Sequence, residues 1–426
     1  MIDIKLIREN PDIVRNNIRE KFQEGKIPLI DRGIDLDLKW RREKKKADDL
    51  RNSRNKISEK INVLMKSGKK ADASKLIKEA KEIPDKISKI EVKASKLFEE
   101  LKEVMMKIPN IMHESVPKGA NEEANVELRK WGKAPKFDFK IKNHVDLAED
   151  LNLVDTKSGA KVAGSRFYYL KGDLVLLNSA LQRFALDIVM KKNFLAIQPP
   201  YMLNRHSMGG AVSLVDFEES IYKIDDEDLF LIGTSEHALA AMHQDEILNL
   251  KEPLKYAGLS SCFRKEAGSH GKDTKGIFRV HRFEKIEQFI FCKENDEQAS
   301  FDEIISNQEE IFKLLKIPYR IVALCGGEVG GTMSRTHDLE GWFPSQKKYL
   351  ELGSTSSAVT YQARKLNIRY QEGDKMLPAY TINGTAMPVQ RTICCILENY
   401  QNKDGSVSIP KVLQPYMGGL KKIVNR

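Results

Sequence analysis

The sequence predicts an α+β protein, an antiparallel-sheet body preceded by an N-terminal antiparallel α-helical coiled-coil arm. Three observations carry that reading. The N-terminal quarter holds a sustained apolar seam of period 3.5. A glycine-containing break interrupts the seam once, as a helical hairpin requires. Beyond residue 113 short β-rich runs and longer helical ones follow one another without regular alternation, which disfavours a doubly wound sheet.

The arm comes first. Leu36, Trp40, Ala47, Leu50, Ile57, Ile61 and Leu64 fall on alternating three- and four-residue steps, with Glu43 and Arg54 as polar interruptions. After Ser67-Gly68-Lys69-Lys70 the pattern restarts at Leu76 and runs through Ala80, Ile83, Ile87, Ile90, Ala94, Leu97, Leu101 and Val104 to Ile108. Two helices of about 30–35 residues would make a rod roughly 45–50 Å long. Pro84 should kink the second helix, because it removes one hydrogen bond there. Residues 39–66 hold 11 Lys or Arg against 4 acids, whereas residues 71–108 hold 9 against 8. A basic face on a projecting rod suits a phosphate backbone, although a solvated coiled-coil surface would show the same charges. The boundary is placed at residue 113, giving an arm over 1–113 and a body over 114–426.

The 426 residues allow two or three domains, and the net charge of +10 points to an acidic partner such as nucleic acid. No apolar run approaches the ~18–20 residues of a membrane span. The N-terminus has early acids and no apolar stretch, so it reads as neither a secretion signal nor a transit peptide. Five scattered cysteines, Cys262, Cys292, Cys325, Cys394 and Cys395, form no Cys-x-x-Cys pair. They read as buried reduced thiols of a cytoplasmic protein rather than as a disulfide framework or a zinc site.

In the body, residues 176–192 read as an amphipathic helix and Phe289-Ile290-Phe291 as a buried strand. The densest constellation is the run Cys262 to Gln288. Its ends, Ser261–Glu266 and Ile277–Phe283, look like strands around a loop carrying Gly268, Gly271, Gly276, Lys272 and Lys275. A hairpin of this kind presents Arg264, Glu266, Phe283 and Glu287 to one ligand, while the basic loop reaches a second, larger one. Arginine offers a bidentate fork to carboxylate or phosphate, and phenylalanine stacks on a planar base.

This run resembles motif 2 of the class II aminoacyl-tRNA synthetases, in the form typical of the seryl-tRNA synthetases and of their archaeal branch. The resemblance extends over nearly the whole chain: the arm, Pro109–Gly132, Gly159-Ala-Lys-Val-Ala-Gly-Ser-Arg-Phe167, Ile232-Gly-Thr-Ser-Glu-His237, Gln362-Ala-Arg364, Asn383-Gly-Thr385 with Arg391, and Leu397-Glu-Asn-Tyr-Gln401. It implies a class II catalytic domain, a homodimer with Pro199-Pro200 at the subunit interface, and two partial reactions. Serine and ATP give seryl-adenylate and pyrophosphate; the seryl group then moves to the 3′ end of serine tRNA, or of a selenocysteine tRNA.

The resemblance also implies roles. Arg264 bridges the serine carboxylate and the α-phosphate, and Arg391 holds the γ-phosphate; these two carry catalysis. Glu351, with Ser354, holds Mg²⁺ on the phosphates, a task for which hard oxygen ligands are suited. Glu266 accepts from the adenine amino group, Val280 touches adenine through its backbone, and Phe283 stacks on the ring. Lys265, Leu352 and Gly353 complete the ATP site. Thr234 and Glu236 receive the serine ammonium, with Ser235 between them also in the serine site; Glu287 takes the hydroxyl or shares the ammonium, and Thr385 lines the floor near Asn383. For Thr234 and Thr385 a capped turn is the ordinary alternative. His237, His270, His281 and His337 show no zinc spacing, and no zinc is expected.

Several positions depart from the usual pattern of the family: Gly353, Ser357, Glu328, Pro388, Gln390 and the segment Gly209–Phe217. They motivate an alternative, a catalytically weakened paralogue that binds tRNA without charging it. A ligase that loads an amino acid onto a carrier protein is a second alternative, disfavoured by the length of the arm.

Overall fold

A computed structural model of the chain describes residues 1–214, 219–266 and 275–425. Gly268, His270, Gly271 and Lys272, and the end of the Gly209–Phe217 segment, lie outside the described residues. The chain divides into two compact units: Ile2–Arg19 with Gln23–Ile108, and Pro109–Arg426 with Met1 and Glu20–Phe22.

The first unit is helical. Two short helices, α1 (Ile4–Glu9) and α2 (Pro11–Glu20), precede the long pair α3 (Pro28–Lys66) and α4 (Lys70–Met105). The periodicity of the sequence does not reveal the short pair. Their apolar residues Ile7, Val14 and Ile18 are buried, and Gly33 of α3 leaves the space that the Ile7 side chain enters. The break falls at Gly68, whose φ of +77° is the left-handed conformation that glycine adopts without a Cβ penalty. Ile57, Ile83 and Ile87 form the seam's core, with Leu50, Ile61, Leu76 and Ala80 against it. The polar interruption at Glu43 has a partner on each helix: Lys46 and Lys93 both reach its Oε1 at 3.0 Å. A buried carboxylate at one seam position, bridged to a lysine on each helix, fixes the register of the two helices. Helix α4 continues through Pro84 to Met105.

The second unit is built on a sheet of eight strands, β1 (Val126–Trp131), β2 (Leu195–Ile197), β3 (Leu254–Phe263), β4 (Arg282–Cys292), β5 (Tyr319–Ala323), β6 (Arg335–Phe343), β7 (Lys348–Val359) and β8 (Tyr380–Pro388). Their spatial order is β1-β5-β6-β7-β8-β4-β3-β2, antiparallel except for the edge pair β2–β3. Helices α5 (Asp173–Met190), α7 (Glu297–Leu314) and α8 (Val389–Asn399) supply the apolar side chains that cover one face, meeting Ile286 and Ile290 of β4. On the other face Phe289 and Phe291 of the same strand pack in a second cluster with Ala238 and Leu239 of α6 (Ser235–Ala241). Strand alternation therefore sends Phe283, Lys285 and Glu287 to this second face, beyond the reach of its apolar cover.

Two expected strands need correction. Strand β3 ends at Phe263, so Arg264–Glu266 lie outside the ladder, and Glu266 adopts a φ of +48°. Ile277–Val280 is irregular, and β4 begins at Arg282. The apolar run misled because Ile277, Phe278 and Val280 are buried as core plugs rather than as strand residues. Among the described residues the five cysteines are free and buried, and no helix is long and apolar enough to cross a membrane.

Candidate active site

The open second face forms a cleft with about 900 Å³ of empty space, and its walls come from six chain segments. It gathers Thr234, Glu236, Arg264, Glu266, Val280, Phe283, Glu287, Glu351, Leu352, Gly353, Ser354, Asn383, Thr385 and Arg391. Two candidates fall elsewhere. Ser235 donates to the Gly258 carbonyl at 3.2 Å and faces β3, and Lys265 lies over the Tyr222 ring. Both neighbour true lining residues in sequence, which is why the motif swept them in.

One end of the cleft is a buried polar network. Asn383 donates to Oε2 of Glu236 and Oε1 of Glu287, each at 3.1 Å, so one amide bridges two carboxylates. Gln362 donates to the other Glu236 oxygen at 2.8 Å. Thr385 donates to Oε2 of Glu287 at 3.2 Å, and Lys285 is ion-paired to the same oxygen. Burial and the Glu287 carboxylate push Glu236 up to about 7. Thr234 caps α6, accepting from the Glu236 amide at 3.2 Å, while also lining the cleft, so its two readings are compatible. Beside it His237 is held down to about 3 by burial and by Arg264, and it stays neutral, accepting at Nδ1 from the Gly233 amide.

Arg264 is anchored rather than free. Its Nε donates to the Gly233 carbonyl at 3.1 Å and its guanidinium lies 5.2 Å from the Phe283 ring centroid. Among the described residues its two terminal amino groups have no hydrogen-bond partner, so both can serve a ligand. Arg391 projects from the first turn of α8 and lies over Phe278. Its Nη1 reaches Glu351 Oε1 and the Glu351 carbonyl, each at 3.0 Å. Arg391 accordingly holds the Glu351 carboxyl below its usual range. Glu266 faces Arg279 at 3.9 Å, and its carbonyl accepts from Arg166 at 2.8 Å.

Lys285, Arg279, Phe278 and Met333 line the cleft but were missed in the sequence. For Lys285 a signal existed: it lies midway between Phe283 and Glu287 on an alternating strand, and so must share their face. The departures have local explanations. A Cβ at Gly353 would lie 2.7 Å from the Thr385 Cβ, so glycine makes room for that threonine. Pro388 is the N-cap of α8 rather than part of its first turn. Gln390 accepts from the Glu284 amide at 2.8 Å and donates to Asn178 and to the Glu284 carboxylate, tying α8 to the start of β4. Nothing in the structure explains Glu328.

Residues 1–112 match the family described as the seryl-tRNA synthetase N-terminal domain, and residues 220–400 match the class II tRNA synthetase core domain (G, H, P, S and T). The serine–tRNA ligase of Nitrosopumilus maritimus is 44% identical over 99% of this chain and 100% of its own length. The chain belongs to the seryl-tRNA synthetase family. ATP-dependent ligation of serine to tRNA is the activity of that family and of this chain. Solved structures agree. The Pyrococcus horikoshii seryl-tRNA synthetase complexed with ATP superposes with a TM-score of 0.92 at 43% identity, each chain fully covered. The cytoplasmic serine–tRNA ligase of Naegleria fowleri in complex with AMP gives 0.87 at 38% identity, covering 100% of this chain and 99% of that one.

Proposed function

We propose that the cleft performs serine activation as follows, with the Glu236–Asn383–Glu287 network as the observation that carries the assignment. Two carboxylates joined by one amide, beside an arginine fork, match a small zwitterion with a hydroxyl. The ammonium sits on Glu236 and Thr234, the hydroxyl on Glu287 and Thr385, and the carboxylate on Arg264. Lys285 pairs with Glu287 and orients it, and adds positive charge beside the reacting phosphate. Phe283 and Val280 hold adenine, and Glu266 accepts from its amino group. A serine carboxylate oxygen attacks the α-phosphorus and pyrophosphate leaves. The tRNA terminal hydroxyl then attacks the carbonyl carbon and AMP leaves. Neutralising phosphate charge contributes most to the first step, and Arg264 and Arg391 do this directly.

A divalent cation fits beside them. Glu351 and Ser354 offer hard oxygens suited to Mg²⁺, and the buried Asp338 Oδ1 behind them has no hydrogen-bond partner. When bound, the ion would neutralise charge on the nucleotide phosphates.

The arm takes the tRNA. Arg42, Lys44, Lys45, Arg54, Lys56 and Lys60 of α3 are exposed, with no carboxylate within 4.0 Å among the described residues. The body forms a homodimer through the region of Pro199-Pro200. Exposed apolar residues near it in the chain support this: Leu195 on edge strand β2 and Met190 at the end of α5. Buried free thiols fit a cytoplasmic protein.

Pyrophosphate exchange measured across an amino-acid panel tests the assignment. Serine should support exchange, and alanine should fail because it would leave Glu287 and Thr385 unsatisfied. Equal exchange with alanine would overturn it, and no exchange with any amino acid would favour the weakened paralogue.

A further inference from the structure

Strands β6 and β7 bring a third carboxylate to the phosphate end of the cleft. Asp338 pairs in register with Ser354, and Glu340 with Glu351, with a register shift between Leu339 and Glu340. Paired residues of an antiparallel ladder share a face, and so do residues two apart on one strand. All four side chains therefore lie on the cleft side of the sheet. Two of the three carboxylates have basic partners: Arg320 Nε donates to Glu340 at 2.6 Å, and Arg391 holds Glu351 at 3.0 Å. Asp338 stands opposite Ser354 across the ladder, and Glu351, Glu340 and Arg391 are the charged groups around it. It is only 8% exposed, and its Oδ1 has no hydrogen-bond partner. Burial and the Glu351 charge raise its proton affinity well above that of an ordinary aspartate.

An acidic oxygen buried beside a second carboxylate and left without a donor destabilises the fold. A hydrophobic or amide side chain of similar size would pack there at lower cost. The arrangement gains meaning when a nucleotide arrives. On the reading that Arg391 then turns to the γ-phosphate, Glu351 loses its counter-charge, and two carboxylates are left facing one small volume. A divalent cation balances that pair.

We propose that Asp338 is a positioning residue of the cation site: its carboxylate holds the Ser354 hydroxyl hydrogen, turns the serine oxygen toward the ion, and adds negative charge behind Glu351. The inference rests on the assignment of Glu351 and Ser354 to the cation, and it goes beyond that assignment by naming what orients the serine.

The test is ATP affinity of the full-length protein with and without Mg²⁺, together with direct Mn²⁺ titration of the ATP complex by electron paramagnetic resonance. Asp338→Asn should lose at least tenfold of the Mg²⁺-dependent gain in ATP affinity and bind Mn²⁺ correspondingly more weakly. Its Mg²⁺-free ATP affinity should be unchanged. Its melting temperature should be equal or higher, because an acidic group buried beside Glu351 has been replaced by a neutral amide of the same size. The effect should vanish in a Ser354→Ala background, since the aspartate acts through that hydroxyl. Normal Mg²⁺ dependence in Asp338→Asn with loss in Glu351→Gln would overturn the role of Asp338 alone. Retention in Glu351→Gln as well would remove the cation site itself. A lower melting temperature, failure to fold, or losses that add with Ser354→Ala would make Asp338 a structural residue and refute the inference.

Discussion

Replacing Arg264 by alanine separates its chemistry from its packing, because the structure divides its donors between the two. The Nε bond to the Gly233 carbonyl is a neutral-acceptor hydrogen bond, worth about 1 kcal/mol net. The contact with Phe283 adds about 0.5–1 kcal/mol. Together these predict a fall in melting temperature of a few degrees. On the proposed assignment the two terminal amino groups act on the ligands. Losing them from the reacting phosphate should cost about 2.7–4 kcal/mol of transition-state stabilisation, roughly 10²–10³ in rate. Serine-dependent pyrophosphate exchange reads the second effect and a thermal melt reads the first. Arg264→Lys keeps the charge but not the fork, and should fall between alanine and the parent. Exchange within threefold of the parent in Arg264→Ala would refute the assigned role. A collapse in melting temperature would show that the split between packing and chemistry was misjudged.

Lys285→Met should raise the serine KM and lower the melting temperature, because breaking a buried pair leaves Glu287 uncompensated at a cost of about 3–5 kcal/mol; an unchanged melt would show that the pair is not coupled to the fold. Glu236 titrates near 7, so its carboxylate meets the serine ammonium better as pH rises from 6 to 8, and the serine KM should fall over that range and flatten in Glu236→Gln. The stability sign is opposite: the raised value favours the folded state below the unfolded carboxyl value of 4.5, and that contribution is lost as pH rises through about 7. On the arm, Lys44, Lys45 and Lys46 changed together to Gln should weaken tRNA binding and flatten its salt slope by about 0.7–0.9 for each phosphate left without its cation, with exchange unaffected; an unchanged slope would make the arm a spacer.

The parts of the fold that were legible are those governed by a short repeat. The 3.5-residue seam located both long helices, and the glycine break located their turn, because periodic burial leaves a periodic sequence. Phe289-Ile290-Phe291 read as a buried strand because both faces of β4 are covered there, which leaves an unbroken apolar run. Helices α1 and α2 were missed because six and ten residues hold too few turns to show a period. Ile277–Val280 was misread because apolar character reports burial, not backbone state. In the site, residues fixed by a motif were found together with neighbours that face elsewhere: Ser235 came with Thr234 and Glu236, yet a helix turns successive side chains away from one another. Asp338 carried no local signal, since its position depends on a partner strand whose register the sequence does not display.

Glu351 and Ser354 show how such register becomes chemistry. Residues three apart on a regular strand point to opposite faces, so a cation could not meet both. The ladder shifts between Leu339 and Glu340, and the extra residue on β7 is Leu352. A Cβ at Gly341 would lie 2.4 Å from the Leu352 Cδ1 and 3.3 Å from the Cys395 sulfur, so glycine opens the space into which the leucine tucks. That packing against α8 absorbs one residue of β7 and returns Ser354 to the face of Glu351. The same helix carries Arg391 in its first turn. The apolar contact behind the sheet thus sets the spacing of the two oxygen ligands proposed in front of it, and links that spacing to the helix that carries the arginine proposed to hold phosphate. A mutation that fills Gly341 would disturb the proposed cation site through Leu352, without changing either of its oxygen ligands.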